Sequence, residues 1–245
     1  MSTVVSQPRQ IPRRRGVLTR RAVASLFGGN HLTVDTYQQL EAKAVVRSYS
    51  RGEECLKITA RRVFFLVAGY VREELSSGAV RVWAAPTVFP YADPRPSFEG
   101  RGYMLAPIGS VLSIGVDDLH AIGGKDPKLA FAIMEMSNAR LRTMERVYGA
   151  DRRSAKARVA GLIQYLATAT DWDLPKDIEP RSIFAVDGPS QLDMANALGL
   201  GVSTVENVIA ELRADGALVK PQRGERTNRL YQIADHLKLA AARIV

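Results

Sequence analysis

Two short amphipathic segments near the C-terminus leave polar side chains free to form hydrogen bonds with a partner. The first has apolar residues at three-residue steps, which are Leu192, Ala195 and Leu198. The second has a helical stripe of five apolar residues, which are Val202, Val205, Val208, Ile209 and Leu212. Ser190 suits an N-cap, and Gly199 and Gly216 suit helix ends in the left-handed conformation. A glycine turn between two such helices is typical of the helix-turn-helix motif, whose second helix hydrogen-bonds to base edges in the DNA major groove.

A basic turn follows the second segment. Residues 218–219 and 229–233 predict two short strands, and Gly224 suits a tight tip between them. Arg223 and Arg226 flank that tip, where they can contact backbone phosphates or a minor groove. The sequence therefore predicts a wing beside the helix-turn-helix, and the alternative is a charged turn that faces solvent.

The charge of the chain suits a polyanionic partner but is unevenly distributed. The 245 residues carry a formal net charge of +9. Six arginines precede the first acidic residue, Asp35, and residues 150–245 contain 13 Lys or Arg against 12 Asp or Glu. The positive charge of the C-terminal part must therefore come from the arrangement of its side chains. The arginine-rich N-terminus is predicted to be either a solvated arm or an arm that binds phosphates without sequence preference.

The chain is predicted to be an α+β protein of four parts. Residues 1–21 form a disordered basic tail, 22–124 an N-terminal β jelly roll, 125–150 a long dimerisation helix, and 151–245 a C-terminal winged helix-turn-helix domain. Short apolar and β-branched runs separated by turns favour the jelly roll. Asp126 and Pro127 are suited to the N-cap and first position of the long helix.

The long helix is predicted to pair with its copy in a homodimer. Its length and its place between two domains leave one face that needs a partner. The predicted interface follows a three–four spacing and consists of Leu129, Ile133, Met136, Arg140, Met144 and Val147. The alternative is an amphipathic helix that lies on its own domain.

The order of these parts resembles the Crp/Fnr family of bacterial transcription regulators. The resemblance covers roughly residues 30–240. It is carried by Val63–Val71 with the following hairpin, Val111–Ile122, Arg158–Leu166, and above all Pro189–Leu218. The stretch LGLGVSTVENVIAELRADGALV (Leu198–Val219) is similar to the recognition segment of that family. The resemblance implies a cyclic-nucleotide-binding type of jelly roll, a dimerisation helix and a winged helix.

The resemblance also assigns DNA contacts, and here the chain departs from the family. The base-reading Arg, Glu and Arg of the family fall on Val202, Ser203 and Asn207, and Thr204 matches a phosphate-contacting threonine. Asn207 can pair with adenine through two hydrogen bonds, whereas Val202 cannot contact guanine as an arginine does. Glu206 either accepts from cytosine or faces solvent. Ser190 and Gln191 at the start of the first helix, with the wing arginines Arg223 and Arg226, complete the predicted contact set. A target different from the usual family half-site is expected.

Ligand binding in the jelly roll is predicted to be altered. Family members that bind cyclic AMP carry a Gly-Glu pair followed by Arg-Ser/Thr, and only Arg95 and Ser97 echo this cassette. No Gly-Glu precedes them, and the prolines around them disfavour a short helix, so cyclic AMP dependence is not expected. One cysteine, Cys55, cannot supply an oxygen-sensing cluster, and three scattered histidines indicate no haem site. No cofactor or metal is predicted, and the effector is unknown.

The function predicted from the sequence is that of a DNA-binding transcription regulator, a homodimer that reads a pseudo-palindromic site on double-stranded DNA. RNA polymerase is a further expected partner, and a cytoplasmic location without membrane contact is expected. The alternative is a regulator whose N-terminal domain binds a different nucleotide or a protein partner. The sequence contains no nucleophile elbow, phosphate loop or paired catalytic histidine, so an enzyme is not predicted.

Overall fold

The computed structural model describes residues 15–57, 61–89, 100–149, 153–169, 185–221 and 228–243. The ligand candidates Arg95 and Ser97, and the wing arginines Arg223 and Arg226, lie outside these ranges. None of the described helices is both long enough and apolar enough to cross a lipid bilayer.

The described residues begin with two helices where the sequence predicted a tail and strands. They are α1 (Arg15–Phe27) and α2 (Val34–Lys43). The prediction of a disordered tail is therefore corrected for residues 15–21, and so is the strand-like start at residue 22. The reason is a helical spacing of apolar residues that arginines obscure: Ala22, Val23, Leu26 and Phe27 all pack into one core.

Eight strands follow and form two four-stranded antiparallel sheets, of order β1-β8-β3-β6 and β2-β7-β4-β5. The strands are β1 (Val45–Ser50), β2 (Glu54–Lys57), β3 (Arg62–Ala68), β4 (Tyr70–Leu75), β5 (Val80–Ala84), β6 (Thr87–Phe89), β7 (Gly100–Met104) and β8 (Ile108–Gly115). The hairpin predicted after Val71 is confirmed, because β4 and β5 pair antiparallel with Glu74 opposite Val80.

Strand β3 is apolar at every position from Val63 to Ala68, and its packing shows why. Phe64 and Leu66 face the core shared by the inner sides of both sheets. Val63 and Phe65 face the opposite way and pack against the N-terminal helices and the long helix. A strand buried on both faces has no polar alternation.

The long helix has the predicted start. Helix α3 (Val116–Gly123) leads into α4 (Pro127–Thr143), which continues as a π-helical segment, Met144–Tyr148. Asp126 caps α4, and its Oδ2 accepts hydrogen bonds from Thr33 N at 3.0 Å and Thr36 Oγ1 at 2.8 Å. The bonds from Thr33, and then from Thr36, hold the pKa of Asp126 below its ordinary value. Because these donors precede and begin α2, the cap also fixes α4 against α2.

The described part of the C-terminal half consists of six helices and strands around one apolar core. They are α5 (Ala155–Ala169), β9 (Ala185–Asp187), α6 (Gln191–Leu198), α7 (Val202–Ala214), β10 (Leu230–Gln232) and, at the end, α8 (His236–Ala242). Strand β9 pairs with β10, antiparallel. This core is continuous with the core between the two sheets.

Candidate nucleic-acid interface

The predicted N-cap of α6 is confirmed and forms a capping box. Ser190 Oγ accepts from Asp193 N at 3.1 Å, and Ser190 N donates to Asp193 Oδ2 at 2.8 Å. The hydroxyl of Ser190 also lies 2.6 Å from Asp193 Oδ2, to which it donates. These bonds satisfy the free amides of the first turn and fix the direction in which α6 leaves the loop.

The start of α6 is held against the sheet of the N-terminal half. Arg72 on β4 donates from Nη1 to Asp193 Oδ1 at 2.9 Å, and the Asp193 side chain is only 4% exposed. A Cβ on Gly188 would lie 2.6 Å from Tyr70 Cδ2, so only glycine allows this approach. Ser190 and its cap therefore lie beside the sheet, and Ser190 has its hydroxyl already engaged.

The turn between α6 and α7 has the geometry that the glycine predicted. Gly199 adopts φ +61°, and Leu200 N donates to Ala195 O at 2.9 Å. Arg158 on α5 donates to Leu198 O and so holds the turn from outside. Ala195 is 1% exposed, as expected of a small residue where α6 and α7 touch.

Helix α7 is buried along one side and exposed along the other. Val205, Val208, Ile209 and Leu212 are the buried residues. Among the predicted contacts, Val202, Ser203, Glu206 and Asn207 are exposed and Thr204 is half-buried. Ala210, which the sequence analysis did not include, is exposed beside them. No described residue forms a hydrogen bond or ion pair with the side chains of Ser203, Glu206 and Asn207.

After α7 the chain forms two neighbouring segments that run antiparallel to each other, as the wing prediction requires. Gly216 ends α7 with φ +75°. Val219 N donates to Gln232 O at 2.8 Å, and Ala234 N donates to Ala217 O at 3.0 Å. The two segments on either side of the basic turn are therefore antiparallel neighbours.

The cations around α7 are partly neutralised within the chain. Lys156 Nζ lies 2.7 Å from Asp215 Oδ2 and 3.6 Å from Glu211 Oε2. The hydrogen bond that Lys156 donates to Asp215 raises the pKa of Lys156 above its ordinary value. Because acidic residues occupy the C-terminal end of α7, the N-terminal turns are the part that can approach a polyanion.

Solved structures share this architecture at low sequence identity. A cyclic-nucleotide-binding-domain protein from Listeria monocytogenes has 15% identity and a TM-score of 0.60, over 87% of this chain and 97% of that one. FixK2 from Bradyrhizobium japonicum has 22% identity and a TM-score of 0.56, over 81% and 96%. A Crp/Fnr-family transcriptional regulator from Eubacterium rectale has 13% identity and a TM-score of 0.57, over 89% and 97%. The chain shares the fold of these three structures. No protein-family model and no curated protein sequence matches the chain.

Within this fold, the space between the sheets is filled by side chains. Trp83, Met104, Leu66 and Phe89 are at most 1% exposed and meet in one core. Burial raises the pKa of the neighbouring Cys55 thiol to about 12, which leaves it protonated and unreactive near neutral pH. The described residues include no group of three or more His, Cys, Asp or Glu side chains that could hold a metal ion.

An arginine from the long helix closes the gap between the two sheets. Arg140 Nη2 lies 2.7 Å from both carboxylate oxygens of Glu73, which also accepts from Trp83 Nε1 at 2.6 Å. The guanidinium lies 4.3 Å from the Trp83 ring centroid and donates to Val88 O at 3.0 Å. Arg140 was predicted to lie in the dimer interface. The prediction is corrected, because its charge pairs with Glu73 of the same chain.

The rest of the predicted dimer stripe also faces inward. Leu129 is 0% exposed and Val147 is 4% exposed, while Ile133, Met136 and Met144 pack against the cores as half-buried residues. These residues therefore do not form the outward face that the sequence predicted, because the same chain already covers them. The apolar residues that α4 does expose are Phe131, Met134 and Leu141, at 61%, 49% and 61%.

The exposed seam was missed because α4 is apolar on two sides. We call Phe131, Met134, Asn138 and Leu141 the α4 seam; its four–three spacing is the heptad pattern of a two-stranded coiled coil. That spacing was visible in the sequence. The α4 seam is offset by two residues from the stripe that was predicted as the interface. Only the burial of the side chains distinguishes the two.

Proposed function

We propose that the protein is a sequence-specific, DNA-binding transcription regulator with α7 as its recognition helix. One observation carries the proposal: an exposed row containing Ser203, Glu206 and Asn207 on a helix anchored by its opposite face. Such a row is free to hydrogen-bond to base edges. The fold likeness to FixK2 and to the Eubacterium rectale transcriptional regulator supports the same function.

The regulator is proposed to act as a homodimer through the α4 seam. Large apolar side chains exposed in a row on one helix gain stability when a second copy covers them. Asn138 lies within the row, and an asparagine at such a position favours a parallel pair in one register. A two-fold axis along α4 would present two recognition helices to a pseudo-palindromic site.

The proposed contacts outside α7 supply affinity. Arg223 and Arg226, which lie outside the described residues, are assigned to backbone phosphates, with Gln191 on α6 as a further contact. RNA polymerase is the proposed partner once the dimer is on DNA. A jelly roll, a dimerisation helix and a winged helix are the three proposed parts that carry these roles.

Control by cyclic AMP is not part of the proposal. Large side chains occupy the space between the sheets, and the Glu73–Arg140 pair already joins that space to the long helix. This internal ion pair links the sheet to the long helix without a ligand.

A second candidate function rests on a cleft of about 550 Å³ between α1 and α4. Ser25, Asn30, Glu135 and Arg142 are among its polar lining residues. An arginine beside hydrogen-bonding groups can hold a phosphate, so a nucleotide other than cyclic AMP is the alternative ligand. Retention on nucleotide-loaded matrices that Arg142→Gln abolishes would favour this candidate, and equal retention of both proteins would reject it.

The proposed function is tested by binding of the purified protein to fragmented genomic DNA. We expect a small subset of fragments to be retained as salt is raised, because base contacts add to a phosphate term that salt weakens. The double variant Ser203→Ala/Asn207→Ala should lose that subset while keeping weak binding to random DNA. Gln39→Ala, which removes an amide side chain on α2 in the N-terminal half, is the matched control. Retention of all fragments alike at every salt concentration would contradict the proposal.

A further inference from the structure

The residues of α7 that point directly away from the protein form a line along the helix. Their positions can be derived from the residues that α7 buries. At about 100° per residue, the direction opposite Val205, Val208, Ile209 and Leu212 is occupied by four exposed residues. They are Ser203, Asn207, Ala210 and Ala214. Three of the four are among the smallest side chains, so nothing bulky keeps the helix backbone away from a surface that it meets.

This line lacks the side chains that read guanine. The common specific contact to guanine O6 and N7 comes from an arginine or lysine. The exposed face of α7 carries neither, and Arg213 is half-buried at the C-terminal end, away from the turns that approach bases. Glu206 adds a negative charge that an acceptor edge of guanine repels.

The same line carries groups that suit an A·T pair. An asparagine bonds adenine through N6 and N7 together. Asn207 is short, so this geometry requires a close approach of the backbone, which Ser203 and Ala210 permit. The methyl group of Ala210, and the Val202 side chain at 38% exposure, are apolar groups of the kind that contact the thymine C5 methyl.

We infer that each half-site is centred on an A·T pair whose adenine is read by Asn207, next to a thymine whose methyl group contacts Ala210. The inference rests on the proposed function, because it requires α7 to enter the major groove. It makes Asn207 and Ala210 the specificity-determining residues of the chain.

The test is selection of bound duplexes from a randomised pool by the full-length protein. The expected consensus has an A·T pair at the centre of each half-site. Asn207→Ala should abolish the preference at that one pair, with a loss of about 5-fold to about 150-fold in discrimination. Gln39→Ala on α2 is the matched control and should leave the consensus unchanged.

Two base analogues in the selected duplex test the individual contacts. Replacing the central adenine with 7-deazaadenine should weaken binding of the wild type and leave Asn207→Ala unaffected, because N7 is one of the two atoms bonded. Replacing the adjacent thymine with uracil should weaken the wild type several-fold through loss of the methyl contact, and Ala210→Gly should remove that sensitivity.

The outcomes separate this inference from the proposed function. If no sequence is enriched, the proposed function itself fails. If a consensus appears with guanine at its centre, or if Asn207→Ala selects the same consensus as the wild type, the protein reads DNA and the A·T inference is wrong. Equal binding to thymine and uracil duplexes would remove Ala210 from the contact.

Discussion

Among single residues, Arg140 connects the long helix to side chains of both sheets, which no sequence pattern predicted. Its guanidinium pairs with the Glu73 carboxylate and lies over both Trp83 and Phe89. The Glu73 side chain is 3% exposed, so its charge depends on this partner. A buried charge whose partner is removed is costly, whereas loss of both partners is not.

Replacing Arg140 alone should therefore lower the free energy of unfolding strongly, whereas replacing Arg140 and Glu73 together should lower it little. We expect Arg140→Met to lower the free energy of unfolding by about 3 to 5 kcal/mol, because Glu73 keeps a buried, unpaired charge. Adding Glu73→Gln should recover most of this loss, since the amide oxygen can still accept from Trp83 Nε1. Urea unfolding of the four proteins in the cycle measures the coupling.

The control for this cycle is Arg61→Met. Arg61 pairs with Asp117 on the surface, where both side chains are at least 70% exposed. Its loss should cost less than about 1 kcal/mol. Additive effects of the Arg140 and Glu73 substitutions would show that the pair does not stabilise the link between sheet and helix.

At the scale of elements, two tyrosines show how the long helix and α5 hold a strand edge. Tyr148 Oη accepts from Val82 N at 2.8 Å and donates to Val82 O at 2.5 Å. Tyr165 on α5 accepts from Ala84 N at 3.1 Å. Burial raises the pKa of both phenols, so they remain protonated and available as hydrogen-bond partners. Edge strand β5 is thus covered, and α4 is left with one free face.

That free face should control the oligomeric state. We expect Met134→Asp or Leu141→Asp to raise the dimer dissociation constant by about 100-fold or more, since each substitution occurs twice, at roughly 1.4 kcal/mol per copy. Sedimentation equilibrium measures the change. Ala139→Asp places the same charge on an exposed position of α4 away from the seam and should leave the dimer intact. A dimer that survives both seam substitutions would place the interface elsewhere.

At the scale of the whole molecule, the two halves share one core and are joined by ion pairs. Arg72 binds Asp193, and Arg51 Nη2 lies 2.5 Å from Asp187 Oδ1. Residues from both sheets, α5, α6 and α7 belong to the same apolar cluster. The C-terminal half therefore has a fixed orientation on the sheet of the N-terminal half.

Weakening this contact should uncouple the halves. We expect Arg72→Gln to cost about 1 to 3 kcal/mol, because Asp193 loses its charged donor while Ser190 still donates to it. The C-terminal half should then unfold at a lower temperature than the sheets, and calorimetry should resolve two transitions in place of one. Lys43→Gln, which removes a surface pair with Asp118 inside the N-terminal half, is the control. A single unchanged transition in Arg72→Gln would show that the apolar core alone joins the halves.

The sequence by itself determined the features that depend on neighbours a few residues away. The Asp126 and Ser190 caps, the Gly199 and Gly216 helix ends, the β4–β5 hairpin and the bounds of α7 all agree with the structure, because each rests on hydrogen bonds or dihedral angles within one turn.

Only the tertiary structure decided which of two apolar faces is covered. On α4 the inward stripe and the α4 seam have similar composition, and the choice depends on strands and helices brought together by folding. Arg140 with Glu73, and Arg72 with Asp193, are separated by 67 and 121 residues. Contacts over such distances leave no periodic trace in a single sequence, because the partner of a charge can be any opposite charge that the topology places beside it.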